Sequence, residues 1–322
     1  MAAYKPLELG VWSGREAMRD LYFYQRVTLT NLEKKPRWKK DANSFVILGY
    51  ASDEGVRRNK GRVGAQYGPL EIRKYLGRLP HHLNPSVAIY DAGNIECLEK
   101  NLEEIQELLA AKVTDILANG AFPIILGGSH DLSYGHFKGL KNYIREEQSI
   151  GIINFDAHFD LRKNTDGSNS GTPFFQIAED SIKTSSPFKY LCLGIRENAN
   201  DSELYETAQK NHVVFIENER FNLWHLDYVI DEIEEFIRSV DYVYLTIDLD
   251  GFSSAYAPGV SSPSPMGFSP DIVLECLKII IKSQKLISLD VVELNPQFDV
   301  DNSTSKLAAS LVYFCIHKLA LL

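Results

Sequence analysis

The sequence predicts a three-layer α/β/α fold built on a mostly parallel sheet of about eight strands. Short, continuously apolar segments recur along the chain, and amphipathic segments separate most of them. Continuous rather than alternating apolarity is typical of strands that are covered on both faces, as in a parallel sheet. The 322 residues, of which 44% are hydrophobic, are sufficient to bury a large core.

The predicted strands follow one another at intervals that leave room for a helix between most neighbours, as in repeated βα units. Their apolar segments are 44–50, 86–90, 122–126, 150–155, 190–195, 212–216, 242–247 and 286–292.

Two of the intervening segments carry clear helix signals. Residues 98–120 place apolar side chains on one stripe and end in Asn119 and Gly120, a helix stop signal. The segment SPDIVLECLKIIIKSQ opens with Ser269 as a candidate N-cap and with Pro270 at the first helical position. The stripe of the first helix consists of Leu102, Ile105, Leu109, Val113 and Ile116.

The chain shows no linker-like or repetitive stretch, so we expect residues 1–322 to form a single domain. The longest region without predicted structure is 251–269, GFSSAYAPGVSSPSPMGFS. Loops of this length in compact domains are usually functional.

Composition narrows the possible partners and the location. The net charge of −9 argues against a nucleic-acid-binding surface, which normally has a basic excess. The four cysteines are widely spaced, which fits reduced thiols rather than a disulfide framework. The N-terminus lacks the apolar core of a signal peptide, and no run of 18 apolar residues occurs. We therefore expect a soluble cytoplasmic protein that binds neither nucleic acid nor membranes.

Ionisable side chains follow several predicted strands directly. Ligands of open parallel sheets bind beyond the carboxyl ends of the strands, so these groups are expected to converge there. The groups are His130 after 122–126, Asp156, His158 and Asp160 after 150–155, Asp248 and Asp250 after 242–247, and Glu293 after 286–292.

Four aspartates and two histidines in one place indicate a metal site. Burying four carboxylates together would cost several kcal/mol per ion, whereas two divalent cations balance the four charges. Residues two apart in an extended segment share a face, which suits the D-x-H-x-D and D-x-D spacings. The ligand set favours Mn²⁺, and Fe²⁺, Co²⁺ or Zn²⁺ are chemically acceptable. Taken singly, His130 is more typical of a structural histidine, and the Asp248–Asp250 pair is equally typical of a turn.

These motifs resemble the signature stretches of the ureohydrolases, the family of arginase, agmatinase and formimidoylglutamase. The stretches are GGSHDLSYGHF, NFDAHFDLR, TIDLDGFSSAYAPGVSSPSP and SLDVVELNPQFD, and the resemblance extends over about residues 45–320. It implies an arginase-like fold, two Mn²⁺ per chain and a homo-oligomer, a trimer or a hexamer. By this resemblance one manganese is bound by His130, Asp156, Asp160 and Asp248, and the other by His158, Asp156, Asp248 and Asp250, so that Asp156 and Asp248 bridge.

Two positions depart from the arginase and agmatinase pattern. Ser170 stands where those enzymes carry a histidine, and Ser264 stands where they carry a glutamate that holds the guanidinium group. The formimidoylglutamase branch resembles this chain better, in VWSGR, DEGVRRNKGRVGA, SGTPFFQ and APGVSSPSP. The resemblance implies hydrolysis of N-formimidoyl-L-glutamate to L-glutamate and formamide, a reaction of histidine degradation.

Roles for individual residues follow from this resemblance and from their chemistry. Arg162 and Ser170 are expected to bind substrate, since a bidentate arginine suits a dicarboxylate; Arg162 is nearly as well explained as an ion-pair partner of a ligand aspartate. Asp160 is the expected proton carrier when water attacks the amidine carbon. Glu293 is expected to orient a substrate nitrogen, although a structural role at its strand end fits equally well.

Three alternatives stay open at this point. The substrate of the chain could instead be a guanidino compound such as agmatine, arginine or a guanidino acid. A zinc deacetylase has a related fold, but that class uses one metal, so His130 and Asp250 argue against it. A non-catalytic metal-binding homologue is the third alternative.

Overall fold

The centre of the fold is one sheet that contains every strand among residues 2–8, 10–39 and 43–322, the part of the chain that this computed structural model describes. The strands are β1 (Ala2–Lys5), β2 (Val27–Leu29), β3 (Ser44–Ala51), β4 (Ala88–Cys97), β5 (Phe122–Leu126), β6 (Ile150–Phe155), β7 (Lys189–Ile195), β8 (Val214–Glu217), β9 (Tyr242–Asp248) and β10 (Leu286–Val292). The helices are α1 (Glu54–Arg58), α2 (Gly68–Leu76), α3 (Leu102–Ala118), α4 (Leu132–Tyr143), α5 (Pro173–Lys183), α6 (Ser202–Lys210), α7 (Leu226–Arg238), α8 (Pro270–Lys282) and α9 (Ser303–Leu319).

The strand order across the sheet is β1-β4-β3-β5-β10-β9-β6-β7-β8, and β2 also pairs with β4. All pairs are parallel except β1 with β4. The eight predicted strands, β3 to β10, are confirmed. The short strands β1 and β2, which the sequence pattern does not reveal, extend the sheet along the free edge of β4. That strand also runs to Cys97, beyond its predicted end, because β3 pairs with it as far as Glu96.

Two hydrophobic cores cover the two faces of the sheet, as the continuous apolarity of the strands predicts. Helices α2, α7, α8 and α9 pack on one face, and α3, α4, α5 and α6 pack on the other. Successive residues of a strand face opposite cores, so Ile47 lies in the first and Leu48 in the second. The three-layer α/β/α architecture is therefore confirmed.

The two helices with sequence signals form where expected. The predicted stripe of α3 is fully buried, and this helix ends immediately before Asn119. Helix α8 begins at Pro270 with Ser269 in the N-cap position, but the Ser269 side chain accepts no capping hydrogen bond. Proline favours the first turn of a helix, where its missing N–H is not needed, so Pro270 supports this start without the capping bond.

Two further findings concern the cysteines and the apolar content of the helices. All four cysteines are free, and three of them are buried. Within the described ranges, the helices lack the length and apolar content needed to span a membrane.

Candidate metal centre

The six predicted metal ligands lie together at the carboxyl edge of the sheet. They follow β5, β6 and β9, which the strand order places on either side of β10 in the middle of the sheet. His130, Asp156, Asp248 and Asp250 are at most 5% exposed, whereas His158 and Asp160 are partly accessible. The sheet topology therefore brings three distant chain segments together in one cluster.

Three carboxylates surround one ring nitrogen of His130. Its Nδ1 lies 2.9 Å from Oδ2 of Asp248, 3.0 Å from Oδ2 of Asp160 and 3.3 Å from Oδ2 of Asp156. One donor atom from each of the four residues lies within 4.8 Å of the other three. These are the four side chains that the resemblance assigns to one manganese.

A second group stands beside the first and shares one residue with it. His158 Nδ1 lies 3.3 Å from Oδ1 of Asp156 and 3.3 Å from Oδ1 of Asp250. Asp156 turns one oxygen toward each histidine and so belongs to both groups. Asp248 belongs only to the first group. Its Oδ2 faces His130, whereas its Oδ1 accepts the amide N–H of Asp250 at 2.8 Å. Its bridging role stays a prediction.

The backbone fixes the direction of these side chains. Asp156 Oδ1 accepts the amide N–H of His158 at 2.7 Å, which repeats the turn that joins Asp248 to Asp250. Asp160 (φ 48°) and Glu293 (φ 67°) both adopt left-handed backbone conformations. Non-glycine residues pay for this conformation with strain, which persists where the surroundings over-determine it and is common at functional sites.

A further set of polar side chains forms hydrogen bonds to the predicted metal ligands. Thr246 Oγ1 lies 3.0 Å from Nε2 of His130, and Asn154 Nδ2 donates to Oδ2 of Asp156 at 3.0 Å. Glu293 Oε1 accepts the amide N–H of His130 at 2.7 Å. Such partners orient ligands and set the tautomer of a ligand histidine. Sequence reasoning did not identify Thr246 or Asn154, although both lie two residues before a predicted ligand.

The loop that carries His130 depends on the glycine pair of GGSH. A Cβ atom on Gly128 would lie 2.0 Å from the carbonyl oxygen of Ser52, so only glycine fits there without a backbone shift. The amide N–H of Glu293 donates to the carbonyl of Gly128 at 2.8 Å. The turn is thus joined to the end of β10, which delivers Glu293 to the same edge.

The arrangement of donors fits a bound cation. His130 Nδ1 and Asp250 Oδ1 are buried and have no hydrogen-bond partner among the described residues. With Nε2 protonated toward Thr246, the lone pair of Nδ1 points at the same place as three carboxylate oxygens. Lone pairs that converge without a proton donor need a positive charge between them, and a divalent cation supplies it.

Burial and the closeness of the carboxylates to one another shift the pKa values of the cluster. Burial, and then the charges of Asp250 and Asp156, raise the pKa of Asp248 well above its usual range. Burial and then the charge of Asp156 raise the pKa of Asp160, and burial followed by the charge of Asp250 raises the pKa of Glu293 to about 8. Burial lowers the pKa of His130, but the three carboxylates outweigh it and bring this pKa well above its usual range.

A cavity of about 660 Å³ opens onto the cluster, a size typical of small-molecule sites. Both predicted substrate contacts line it. Arg162 is exposed and forms no side-chain hydrogen bond or ion pair within the described ranges, so the structure contains no Arg162–aspartate ion pair. Ser170 Oγ accepts a hydrogen bond from Asn59 Nδ2 at 3.0 Å. The long loop 251–269 lines the cavity through residues 261–265, which include Ser264.

Sequence reasoning missed three charged side chains of the cavity wall, Lys60, Arg62 and Arg196. Arg196 lines the cavity, although it is only 8% exposed. It directly follows β7, next to β6 in the sheet. The same strand-end signal that identified His130 and Asp156 could have found it, but an arginine is not a metal ligand.

Comparison with known proteins agrees with the fold and identifies the family. The profile of the arginase family matches residues 43–317. A formimidoylglutamase of Chromobacterium violaceum is 39% identical over 315 residues, which cover 95% of this chain and 97% of that protein. The crystal structure of Trypanosoma cruzi formiminoglutamase with Mn²⁺ superimposes with a TM-score of 0.77 at 27% identity, covering 88% of this chain and 96% of that one. The formimidoylglutamase structure from Bacillus subtilis gives a TM-score of 0.82 at 23% identity over 98% of this chain and 96% of that one, which supports the fold. The chain belongs to the arginase family.

Proposed function

We propose that this chain is a formimidoylglutamase, which hydrolyses N-formimidoyl-L-glutamate to L-glutamate and formamide as a step of histidine degradation. The identity to formimidoylglutamases over nearly the whole chain supports this branch of the family. The reaction adds water across the amidine carbon and breaks its bond to the glutamate nitrogen. The enzyme must therefore hold the amidine beside a nucleophile and hold the carboxylates away from it.

The proposed cofactor is a pair of Mn²⁺ ions in each chain. The first would be held by the group around His130, and the second by the group around His158, with Asp156 common to both. Divalent cations in these positions would supply Lewis acidity, which lowers the pKa of water and makes a nucleophile available near neutral pH.

Asp160 is the proposed proton carrier. Its side chain is 13% exposed, the most accessible carboxylate of the first group, and only its Oδ2 faces His130. Its Oδ1 has no hydrogen-bond partner among the described residues and can take a proton from the attacking water. The same oxygen can then protonate the leaving glutamate nitrogen, which must depart as an amine.

Glu293 serves this site from a more buried position. It is 4% exposed, and its Oε1 is occupied by the backbone N–H of His130. This contact supports a positioning role for Glu293, since it holds the loop that carries His130. Contact of Glu293 with a substrate nitrogen stays a prediction.

The observation that carries the proposal is the placement of Arg162 in the same cavity as the carboxylate–imidazole cluster. A substrate of this class has a cationic amidine at one end and carboxylates at the other. The amidine is attracted to the anionic cluster, and a free guanidinium at the rim is suited to a carboxylate. Ser170 and Ser264, also in this cavity, offer no charge to a guanidinium substrate.

The test is Mn²⁺ reconstitution followed by product analysis on parallel substrates. Formamide released from N-formimidoyl-L-glutamate supports the proposal. Urea released faster from agmatine, arginine or a guanidino acid would replace it with a guanidino hydrolase. Two bound manganese ions without turnover of any amidine or guanidine would indicate the non-catalytic homologue.

The organisation of the protein is part of the same proposal. We propose one domain over residues 1–322, a trimer or a hexamer, and a cytoplasmic location. Light scattering coupled to size-exclusion chromatography measures the assembly. Limited proteolysis tests the single domain, which should resist cleavage into two stable parts.

A further inference from the structure

We infer that Arg196 is a specificity-determining residue that binds a carboxylate of the substrate inside the cavity. The inference rests on the proposed function, because it assumes an amidine substrate with carboxylate groups. It assigns the carboxylate to a buried arginine, whereas the exposed Arg162 is left to the rim of the cavity.

The first observation is that Arg196 is buried without a partner. It is 8% exposed and lines the cavity, yet its guanidinium forms no ion pair, hydrogen bond or ring contact with any residue in the described part of the chain. Its Nε is sealed from solvent and meets no acceptor. A buried charge without a counter-charge is destabilising, so an anion that fills the cavity beside it is strongly favoured.

The second observation is that the backbone of Arg196 is joined to the D-A-H-F-D segment. Its amide N–H donates to the carbonyl of Ala157 at 3.1 Å. Asn200 Nδ2 donates to the carbonyls of both Arg196 and Ala157, each at 2.9 Å, and Asn200 Oδ1 accepts the amide N–H of Phe159 at 2.9 Å. The segment that carries the metal cluster therefore also fixes the backbone position of Arg196. This would hold the carboxylate-binding guanidinium at a constant distance from the cluster, where the amidine reacts.

The other cations of the cavity are less suited to this role. Arg62 is already engaged, because Nε donates to the carbonyl of Ser261 at 2.9 Å and the guanidinium lies 4.0 Å above the ring of Phe298. Lys60 and Arg162 are exposed, so water screens their charges. Arg196 alone combines burial, an unused guanidinium and a place on the cavity wall.

Substrates that differ in their carboxylates provide the test, with steady-state kinetics of the manganese-loaded protein. The set is N-formimidoyl-L-glutamate, N-formimidoylglycine, 4-formimidamidobutanoate and formamidine, of which the last has no carboxylate. The variants are R196M, which removes the charge at similar length, and R196K, which keeps the charge but loses the planar fork. R238M is the matched control, since Arg238 is an exposed helix residue whose ion pair with Glu234 lies outside the cavity.

We expect R196M to raise KM for N-formimidoyl-L-glutamate by about 10- to 100-fold, as for the loss of a charged hydrogen bond. The effect should recur for only one of the two monocarboxylates, which identifies the carboxylate that Arg196 holds, and should be absent for formamidine. R196K should lie between R196M and the wild type, and R238M should match the wild type. Equal losses for formamidine and for N-formimidoyl-L-glutamate would overturn the inference, because a merely structural role affects all substrates alike.

Calorimetric titration with L-glutamate, the proposed product, tests the same contact without turnover. Weaker binding in both R196M and R196K, at an unchanged melting temperature, supports the inference. The inference would be overturned if the wild type, R196K and R196M bound L-glutamate with equal affinity, or if the wild type did not bind it. The two proposals fail separately: unchanged KM in active R196 variants rejects the role of Arg196 alone, and urea release by the wild type rejects the proposed substrate.

Discussion

Replacing Thr246 with valine is expected to weaken manganese binding although Thr246 is not a predicted ligand. Thr246 lies in β9, two residues before Asp248, and its Oγ1 is 3.0 Å from Nε2 of His130. Valine has nearly the same shape and lacks only the hydroxyl. The substitution therefore removes one hydrogen bond and leaves the packing of the strand intact.

The size of the effect follows from burial. His130 is 1% exposed and Thr246 is fully buried, so water cannot replace the lost partner. A buried N–H without an acceptor costs about 1–3 kcal/mol. The ring can avoid this cost by moving its proton to Nδ1 or by rotating, and either change spoils the nitrogen that faces the carboxylates. At about 1.4 kcal/mol for each factor of ten, manganese affinity should fall by about 10- to 100-fold.

Calorimetric titration of the metal-free protein with Mn²⁺ measures this change. Thr246→Ser keeps the hydroxyl and should bind manganese nearly as the wild type does. Thr114→Val removes a hydroxyl that bonds carbonyls of α3 and α4, far from the cluster, and should leave the affinity unchanged. An affinity in Thr246→Val within about twofold of the wild type would refute the reasoning.

Three further predictions concern the second metal group, the glycine turn and the C-terminal helix. Asp250→Asn removes a charge that belongs only to the second group, so the manganese content measured by mass spectrometry should fall from two toward one per chain; a content of two would contradict the assignment. Gly128→Ala should lower the free energy of unfolding in urea by about 1–3 kcal/mol, since its Cβ would meet the carbonyl of Ser52 at 2.0 Å, and an unchanged midpoint would show that the turn can move. Burial lowers the pKa of His317 more than its bond to the carbonyl of Tyr313 raises it, so acid protonates the unfolded chain first and stability is lost as pH falls below about 6.5. His317→Gln should therefore lose less stability than the wild type between pH 7.5 and 5.5, and equal losses would argue against this residue.

The central strands could be predicted because burial on both faces leaves a direct mark on composition. Strand β6, which is buried at every position, is an uninterrupted apolar run in the sequence. The short strands β1 and β2 leave no such mark, since they are only partly buried and are defined by pairing with β4. The order of the strands is also not written in any local pattern, because it depends on which helices cross which face.

The candidate site could be predicted to the extent that its chemistry is unusual. Two aspartates and a histidine directly after the buried strand β6 are unusual, and a bound metal explains them. Thr246 and Arg196 carry no comparable signal, since a threonine in a strand and an arginine after one are ordinary. Thr246 matters because its Oγ1 lies 3.0 Å from Nε2 of His130, and Arg196 matters because no acceptor lies beside its Nε. Both facts are properties of the folded chain.

The position of β10 has a consequence for the synthesis of the protein. It is the last strand of the chain, yet it lies in the middle of the sheet and joins β5 to β9. Until residue 292 leaves the ribosome, the chain can form only two part-sheets, each with an open parallel edge that invites pairing with other chains. His130, which follows β5, and the ligands that follow β6 and β9 stay on separate part-sheets until then. The first metal group can consequently be completed only after β10 has joined the sheet, and a product truncated before β10 would expose two unpaired strand edges and an incomplete metal centre.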